Sequence, residues 1–330
     1  MQRVFIVGAG AWGTALSLVA RRAGREATIW SYEDEVARDI NERHKNPTYL
    51  PGVTLDASVR ATADLTEAAR ADVILLAVPA QFLRDVARKI RTSAPVVICA
   101  KGIEQASGAL MTEICAQEMP GAKPAVLSGP TFAHEVARGL PTAVTLATND
   151  VALGRALVEA LGSKTFRPYL GDDPVGAELG GAVKNVLAIA CGVVEGRGMG
   201  ENARAALITR GLAEMTRLAV ANGGRAETMM GLAGLGDLAL TCTGARSRNY
   251  SLGVALGKGE ALESILAGRR SVAEGVATAP AVLARAARLG VEMPISRAVD
   301  AILHRGASID DAIEALLSRP FRAEVSEGTS

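Results

Sequence analysis

Lys184 stands in Glu178-Leu179-Gly180-Gly181-Ala182-Val183-Lys184-Asn185-Val186-Leu187-Ala188-Ile189-Ala190, a run otherwise almost wholly small or apolar. Such a stretch predicts a helix buried on most of its circumference and packed closely through glycine and alanine. An ammonium group there is costly unless it is paired or gives up its proton. Two readings follow: an acid/base lysine with a tuned pKa, or a lysine that snorkels to the rim or pairs with Glu178. A lone acid with the same need lies downstream. Asp237 is the only charge in Met230-Gly231-Leu232-Ala233-Gly234-Leu235-Gly236-Asp237-Leu238. It is either a turn or N-cap aspartate, or the partner of a cation such as Lys184 or Lys101.

Anion chemistry is suggested at two further places. Lys101-Gly102 and Ser128-Gly129-Pro130-Thr131-Phe132 each follow a predicted strand. Ligands of open α/β sheets bind beyond those carboxyl ends. Lys101 there is a candidate for an anionic substrate or the reactive end of a cofactor, or a surface lysine beside a turn. Ser247-Arg248-Asn249 precedes a helical run, and a hydroxyl, a guanidinium and an amide at a helix N-terminus form a phosphate cradle. Plain capping by Ser247 or Asn249 explains the same residues.

Gly8-Ala9-Gly10-Ala11-Trp12-Gly13 matches GxGxxG between an apolar strand and a helix, the context that makes it a dinucleotide turn. Gly8 serves the tight turn, Gly10 the approach of a pyrophosphate, and Gly13 the packing of helix on strand. An NAD-type fold places an acid at the end of the second strand. Here that position is Ser31, then Tyr32, with an acid only at Glu33. The expected cofactor is NADPH in preference, with NADH possible; Arg21, Arg22 and Arg25 lie near.

The elements that must position these groups follow from periodicity. Runs at Val4–Val7, Ala27–Trp30, Asp72–Val78, Val96–Ala100, Ala125–Ser128 and Ala143–Ala147 predict strands. Helices are expected near 12–23, 81–90 and 106–117, the pattern of a parallel sheet covered on both faces. Strand signals fade after Tyr169. Asp173 reads as an N-cap with Pro174 in the first turn, and helical periodicity continues through 279–289, 294–304 and 308–318. The expected fold is α/β: a Rossmann-type doubly wound parallel sheet over residues 1–172, then an all-α substrate domain over 173–330.

Composition narrows the function. A net charge of +1 gives no field for nucleic acid or an anionic membrane. Uninterrupted apolar runs are short of the ~18 residues that span a bilayer. The chain enters its first strand almost directly, so no signal peptide is expected. Cys99, Cys115, Cys191 and Cys242 are scattered, which fits reduced thiols, and His44, His134 and His304 have no ligand spacing. A soluble cytoplasmic protein without a metal is expected.

Taken together, Gly8-Ala9-Gly10-Ala11-Trp12-Gly13-Thr14-Ala15-Leu16, Lys101-Gly102, Ser128-Gly129-Pro130-Thr131-Phe132-Ala133, Gly180-Gly181-Ala182-Val183-Lys184-Asn185, Leu207-Ile208-Thr209-Arg210-Gly211, Gly234-Leu235-Gly236-Asp237-Leu238 and Ser247-Arg248-Asn249 resemble one motif series. It is that of the NAD(P)-dependent sn-glycerol-3-phosphate dehydrogenases of the bacterial type, in the family's order over roughly residues 4–300. The resemblance implies that Lys184 is the catalytic acid/base and that Lys101 touches cofactor and substrate. It implies a glycerol-phosphate site lined by Gly129, Thr131, Asp237, Ser247, Arg248 and Asn249. Contacts to the cofactor are implied for Gly8, Gly10, Ala11, Trp12, Gly13, Tyr32, Tyr49, Ala133, Arg248, Val272 and Glu274. Ala11 stands where the family often has serine. Also implied are a homodimer, a small phosphorylated substrate (dihydroxyacetone phosphate or sn-glycerol 3-phosphate) and a role supplying glycerol phosphate to phospholipids. The rivals are a 3-hydroxyacid dehydrogenase or ketopantoate reductase of like architecture, and a non-catalytic NAD(P)-binding regulator.

Overall fold

A computed structural model describes residues 1–268 and 273–320. Ten strands precede Pro174: β1 (Arg3–Val7), β2 (Glu26–Trp30), β3 (Lys45–Asn46), β4 (Leu50–Thr54), β5 (Arg60–Thr62), β6 (Val73–Leu76), β7 (Val96–Ile98), β8 (Pro124–Ser128), β9 (Thr142–Ala147) and β10 (Phe166–Gly171). Eight form one sheet in the order β10-β9-β8-β7-β6-β1-β2-β5, and β3 and β4 form a separate antiparallel hairpin. Alternation along β1 divides the core. Val4 and Ile6 face one apolar layer with α1 (Ala11–Arg22), while Phe5 and Val7 face another with α2 (Met111–Glu118).

The sheet is not wholly parallel. β8 and β9 pair antiparallel, so β9 and β10 run against the other six strands. Only the five-residue helix Ala133–Ala137 lies between β8 and β9, and no crossover returns the chain to the starting edge. Other expectations shrink at their ends. The 81–90 helix is a 3₁₀ turn at Ala80–Phe82 followed by Leu83–Ala87, and the 106–117 helix begins only at Met111. Gly108 there has φ +73°, which breaks a right-handed helix.

Beyond Pro174 the described residues are helical or in turns. Asp173 accepts from the Gly176 N–H at 2.8 Å and Pro174 opens α3 (Pro174–Gly196), as the sequence predicts. α3 is the centre of a separate, helical core, packed by α4 (Glu201–Ala221), α5 (Asp237–Thr243), α6 (Arg248–Gly257) and α7 (Glu274–Arg288). Gly192 meets Gly253 so closely that a Cβ at either would overlap backbone of the other helix. α3 is long and apolar enough to cross a bilayer, yet 94% of its most apolar window is buried within the fold. Helix 279–289 starts earlier than expected, at Glu274, while Pro294–His304 and Ile309–Leu317 fall where periodicity places them.

Candidate active site

The loops at the carboxyl ends of β7 and β8 meet the buried face of α3. After β8, Gly129 takes φ +144°, open to glycine without strain, and turns its carbonyl towards Lys101. From the other side a π-helical turn, Leu232–Gly236, delivers Asp237 to the first position of α5. A Cβ at Gly180 would overlap the Ala233 carbonyl, so the glycine lets α3 lie against that turn.

Asp237 is fully buried and carries two cations, one on each oxygen. Lys184 Nζ donates to Oδ1 at 2.5 Å, and Lys101 Nζ donates to Oδ2 at 2.6 Å. Lys184 also donates to Thr241 Oγ1 at 2.9 Å, while Lys101 reaches the Gly129 carbonyl at 2.9 Å and Thr131 Oγ1 at 3.5 Å. Two ammonium groups on one carboxylate leave a positive charge in excess, held where the dielectric is low. Burial pulls the Lys184 pKa down to about 8, and the Lys101 charge adds to this against the pull of Asp237. A lysine tuned towards neutrality can both donate and accept a proton. Glu178 is not its partner. That carboxyl accepts from the Thr112 N–H at 3.0 Å and from its hydroxyl at 2.5 Å, and burial raises its pKa to about 7.

A chain of side-chain amides ties this cluster to α6 and α7. Asn185 Nδ2 donates to the carbonyls of Lys101 at 3.4 Å and Gly181 at 3.3 Å. Asn249 Nδ2 donates to Asn185 Oδ1 at 2.9 Å, and Asn249 Oδ1 accepts from the Gly275 N–H at 3.0 Å. Ser247 caps α6, accepting from the Tyr250 N–H at 3.2 Å. Of the Ser247-Arg248-Asn249 trio, only Arg248 is exposed. Glu274 begins α7 with Oε2 buried and without a hydrogen-bond partner; burial lifts its pKa to about 7 while the Arg248 charge lowers it.

The glycine turn has the shape its motif demands. Gly8 has φ +117°, and a Cβ at Gly13 would overlap the Gly8 carbonyl oxygen. Gly10 faces open space, with nothing within 4 Å of where a Cβ would stand. No side chain caps the N-terminus of α1, which opens with Ala11 and Trp12, and Trp12 Nε1 is buried without a partner. Uncapped N–H groups beside an open glycine suit a pyrophosphate, so these residues fit a dinucleotide. At the end of β2 the fit is less direct. Ser31 is buried with its hydroxyl donated to the Glu33 carbonyl at 2.9 Å. Arg22 and Arg25 are spent on backbone carbonyls of 136–137 and 159–160, and Arg21 on Asp56 and the Arg25 carbonyl.

Tyr32 is 86% exposed and meets the Trp30 ring edge-on at 6.5 Å; Tyr49 donates its hydroxyl to Glu33 at 2.8 Å. Ala133 opens the helix after β8. Val272 lies outside the described residues. Three residues escaped the sequence reading. Thr241 was legible in principle, four residues after Asp237 on one helix face. Asn185 follows Lys184 inside a quoted motif. Asn46, which holds the glycine turn from a distant hairpin, left no local signal.

Known proteins give this geometry its family. Residues 3–153 match the N-terminal part of the NAD-dependent glycerol-3-phosphate dehydrogenase family, and residues 173–314 its C-terminal part. A Rhodospirillum rubrum protein named glycerol-3-phosphate dehydrogenase (NAD(P)+) is 60% identical over 98% of this chain and 94% of its own. A Parvibaculum lavamentivorans protein of the same name is 57% identical over 98% of both. A crystal structure of glycerol-3-phosphate dehydrogenase from Coxiella burnetii superposes with a TM-score of 0.92 at 40% identity, covering 96% of this chain and 99% of that one. With family matches over both halves and near full-length relatives above half identity, the chain belongs to the NAD-dependent glycerol-3-phosphate dehydrogenase family.

Proposed function

We propose that the chain interconverts dihydroxyacetone phosphate and sn-glycerol 3-phosphate, with Lys184 as the group that gives a proton to, and takes it from, the C2 oxygen. The observation that carries this reading is the buried Lys184–Asp237–Lys101 cluster with its excess positive charge. The cofactor NAD(P)H, when bound, supplies the hydride that reduces the C2 carbonyl. Negative charge then grows on the C2 oxygen, where the Lys184 ammonium stabilises it and transfers its proton. Asp237 orients that ammonium and Lys101 adds to the field. Arg248, at the first position of α6, takes the substrate phosphate at the positive end of that helix. Ser247 and Asn249 act through their caps and ties, setting the start of α6 relative to Lys184.

Gly8, Gly10, Ala11, Trp12 and Gly13 would hold the pyrophosphate side of the cofactor, and Tyr32, Tyr49, Ala133 and Glu274 the flanks of its crevice. NADPH is favoured over NADH because no carboxylate stands free at the end of β2: the position is Ser31, and Glu33 is engaged by Tyr49. The reading includes two units, 1–172 for the cofactor and 173–330 for the substrate. It also includes a cytoplasmic homodimer whose product feeds phospholipid synthesis.

Initial rates of NADPH oxidation test the substrate. Dihydroxyacetone phosphate should far exceed dihydroxyacetone and ketopantoate in kcat/KM. Arg248→Ala should raise KM for dihydroxyacetone phosphate by about 10- to 100-fold and leave dihydroxyacetone almost unaffected. Equal losses on both ketones would remove the phosphate role, and preference for ketopantoate would return the assignment to the carboxylate reductases.

A further inference from the structure

The hairpin β3–β4 stands outside the main sheet, and one of its side chains reaches into the glycine turn. Asn46 is almost wholly buried, and every polar atom of its amide is used. Nδ2 donates to the Ala9 carbonyl at 2.7 Å and to Thr14 Oγ1 at 2.8 Å, while Oδ1 accepts from the Tyr49 N–H at 3.1 Å. The Thr14 hydroxyl donates to the same Ala9 carbonyl at 3.2 Å. That carbonyl, between Gly8 and Gly10, is therefore held by two donors on the side away from open space. In a trans peptide the carbonyl and the following N–H point in opposite directions. Fixing the Ala9 carbonyl inward aims the Gly10 N–H outward, to the face where Gly10 has nothing within 4 Å. Without these donors the Ala9–Gly10 peptide turns about ψ of Ala9 and φ of Gly10, and the glycine side offers little resistance.

We propose that Asn46 is a positioning residue for the cofactor: it locks the Ala9–Gly10 peptide so that the Gly10 N–H, and with it the open first turn of α1, faces the pyrophosphate. This rests on the reading that a nicotinamide dinucleotide occupies the glycine turn. The same hairpin is tied to the segment after β2, since Tyr49, three residues on, donates its hydroxyl to Glu33.

The test is direct binding by the full-length protein, with NADPH titrated by its fluorescence and adenosine 2′-monophosphate, which has no pyrophosphate, as the comparison ligand. Asn46→Ala should weaken NADPH by about tenfold or more and leave adenosine 2′-monophosphate within about twofold of wild type. Asn46→Asp has the same shape but sets a carboxylate against the Ala9 carbonyl, so it should weaken NADPH further than alanine. Thr14→Val, which removes one of the two donors, should give a smaller loss in the same direction and serves if Asn46→Ala fails to fold. Unchanged NADPH affinity in Asn46→Asp overturns the proposal. So does a parallel loss for both ligands, the mark of a general structural role. A wild-type protein that does not bind NADPH overturns the parent reading as well.

Discussion

Alanine or methionine at position 184 is expected to lower kcat for reduction of dihydroxyacetone phosphate by at least about 10³-fold, with the Kd for NADPH near that of wild type. The loss combines two effects, the missing proton donor and the missing charge opposite the developing oxyanion. Lys101 cannot take over. Its Nζ is anchored to Asp237, the Gly129 carbonyl and Thr131, and once Lys184 is gone its charge is matched by that of Asp237. The fold should survive, because Asp237 keeps one cation and a buried ammonium has been removed. Stopped-flow turnover together with NADPH titration separates the outcomes. Turnover within about tenfold of wild type in Lys184→Met would move the proton donor elsewhere.

Asp237→Ala is expected to be the more damaging change to the protein as a whole. It leaves the buried Lys184 ammonium and the half-buried Lys101 ammonium facing each other without their shared carboxylate, a cost on the order of 3–5 kcal/mol if neither loses its proton. Lys184 is the one to give way. Its pKa, about 8 with Asp237 opposing burial, falls further when that opposition is removed. The variant should therefore melt earlier and turn over roughly 100-fold more slowly near neutrality, where the donor is now deprotonated. Asp237→Asn keeps the shape and isolates the charge, and it should retain more stability than alanine while losing comparable activity. Thermal melting and kcat measured on both variants check this; an Asn variant with unchanged kcat would relegate Asp237 to packing.

What could be read from the chain, and what could not, divides by the range of the interaction. β1, the glycine turn and α1 are local patterns, and all three fall within a residue or two of expectation. The start of α3 was legible for the same reason, since Asp173 and Pro174 are adjacent cap signals. The direction of β9 was not, because an apolar run carries no sign for which way it enters a sheet. β3 is two residues long and β4 carries Pro51 and Gly52, which mask a strand pattern, so the hairpin that delivers Asn46 was invisible. Asp237 was recognisable as an acid in need of a cation. That it bridges Lys184 and Lys101 at once depends on a π-helical turn and a sheet end meeting in space. Glu178 shows the converse: it has suitable chemistry six residues before Lys184, yet its carboxylate is satisfied by Thr112, 66 residues away in the chain.

The central claim, that Lys184 moves the proton, is tested most directly by the pH dependence of kcat/KM in both directions, which reports the free enzyme. Below about 8 the lysine is protonated and competent to donate; above that it is neutral and competent to accept. Reduction of dihydroxyacetone phosphate should therefore decline as pH rises through about 8, while oxidation of sn-glycerol 3-phosphate rises through the same value, and Asp237→Asn should move both limbs to lower pH. Profiles flat from about pH 7 to 10, or limbs that Asp237→Asn leaves in place, would contradict the assignment.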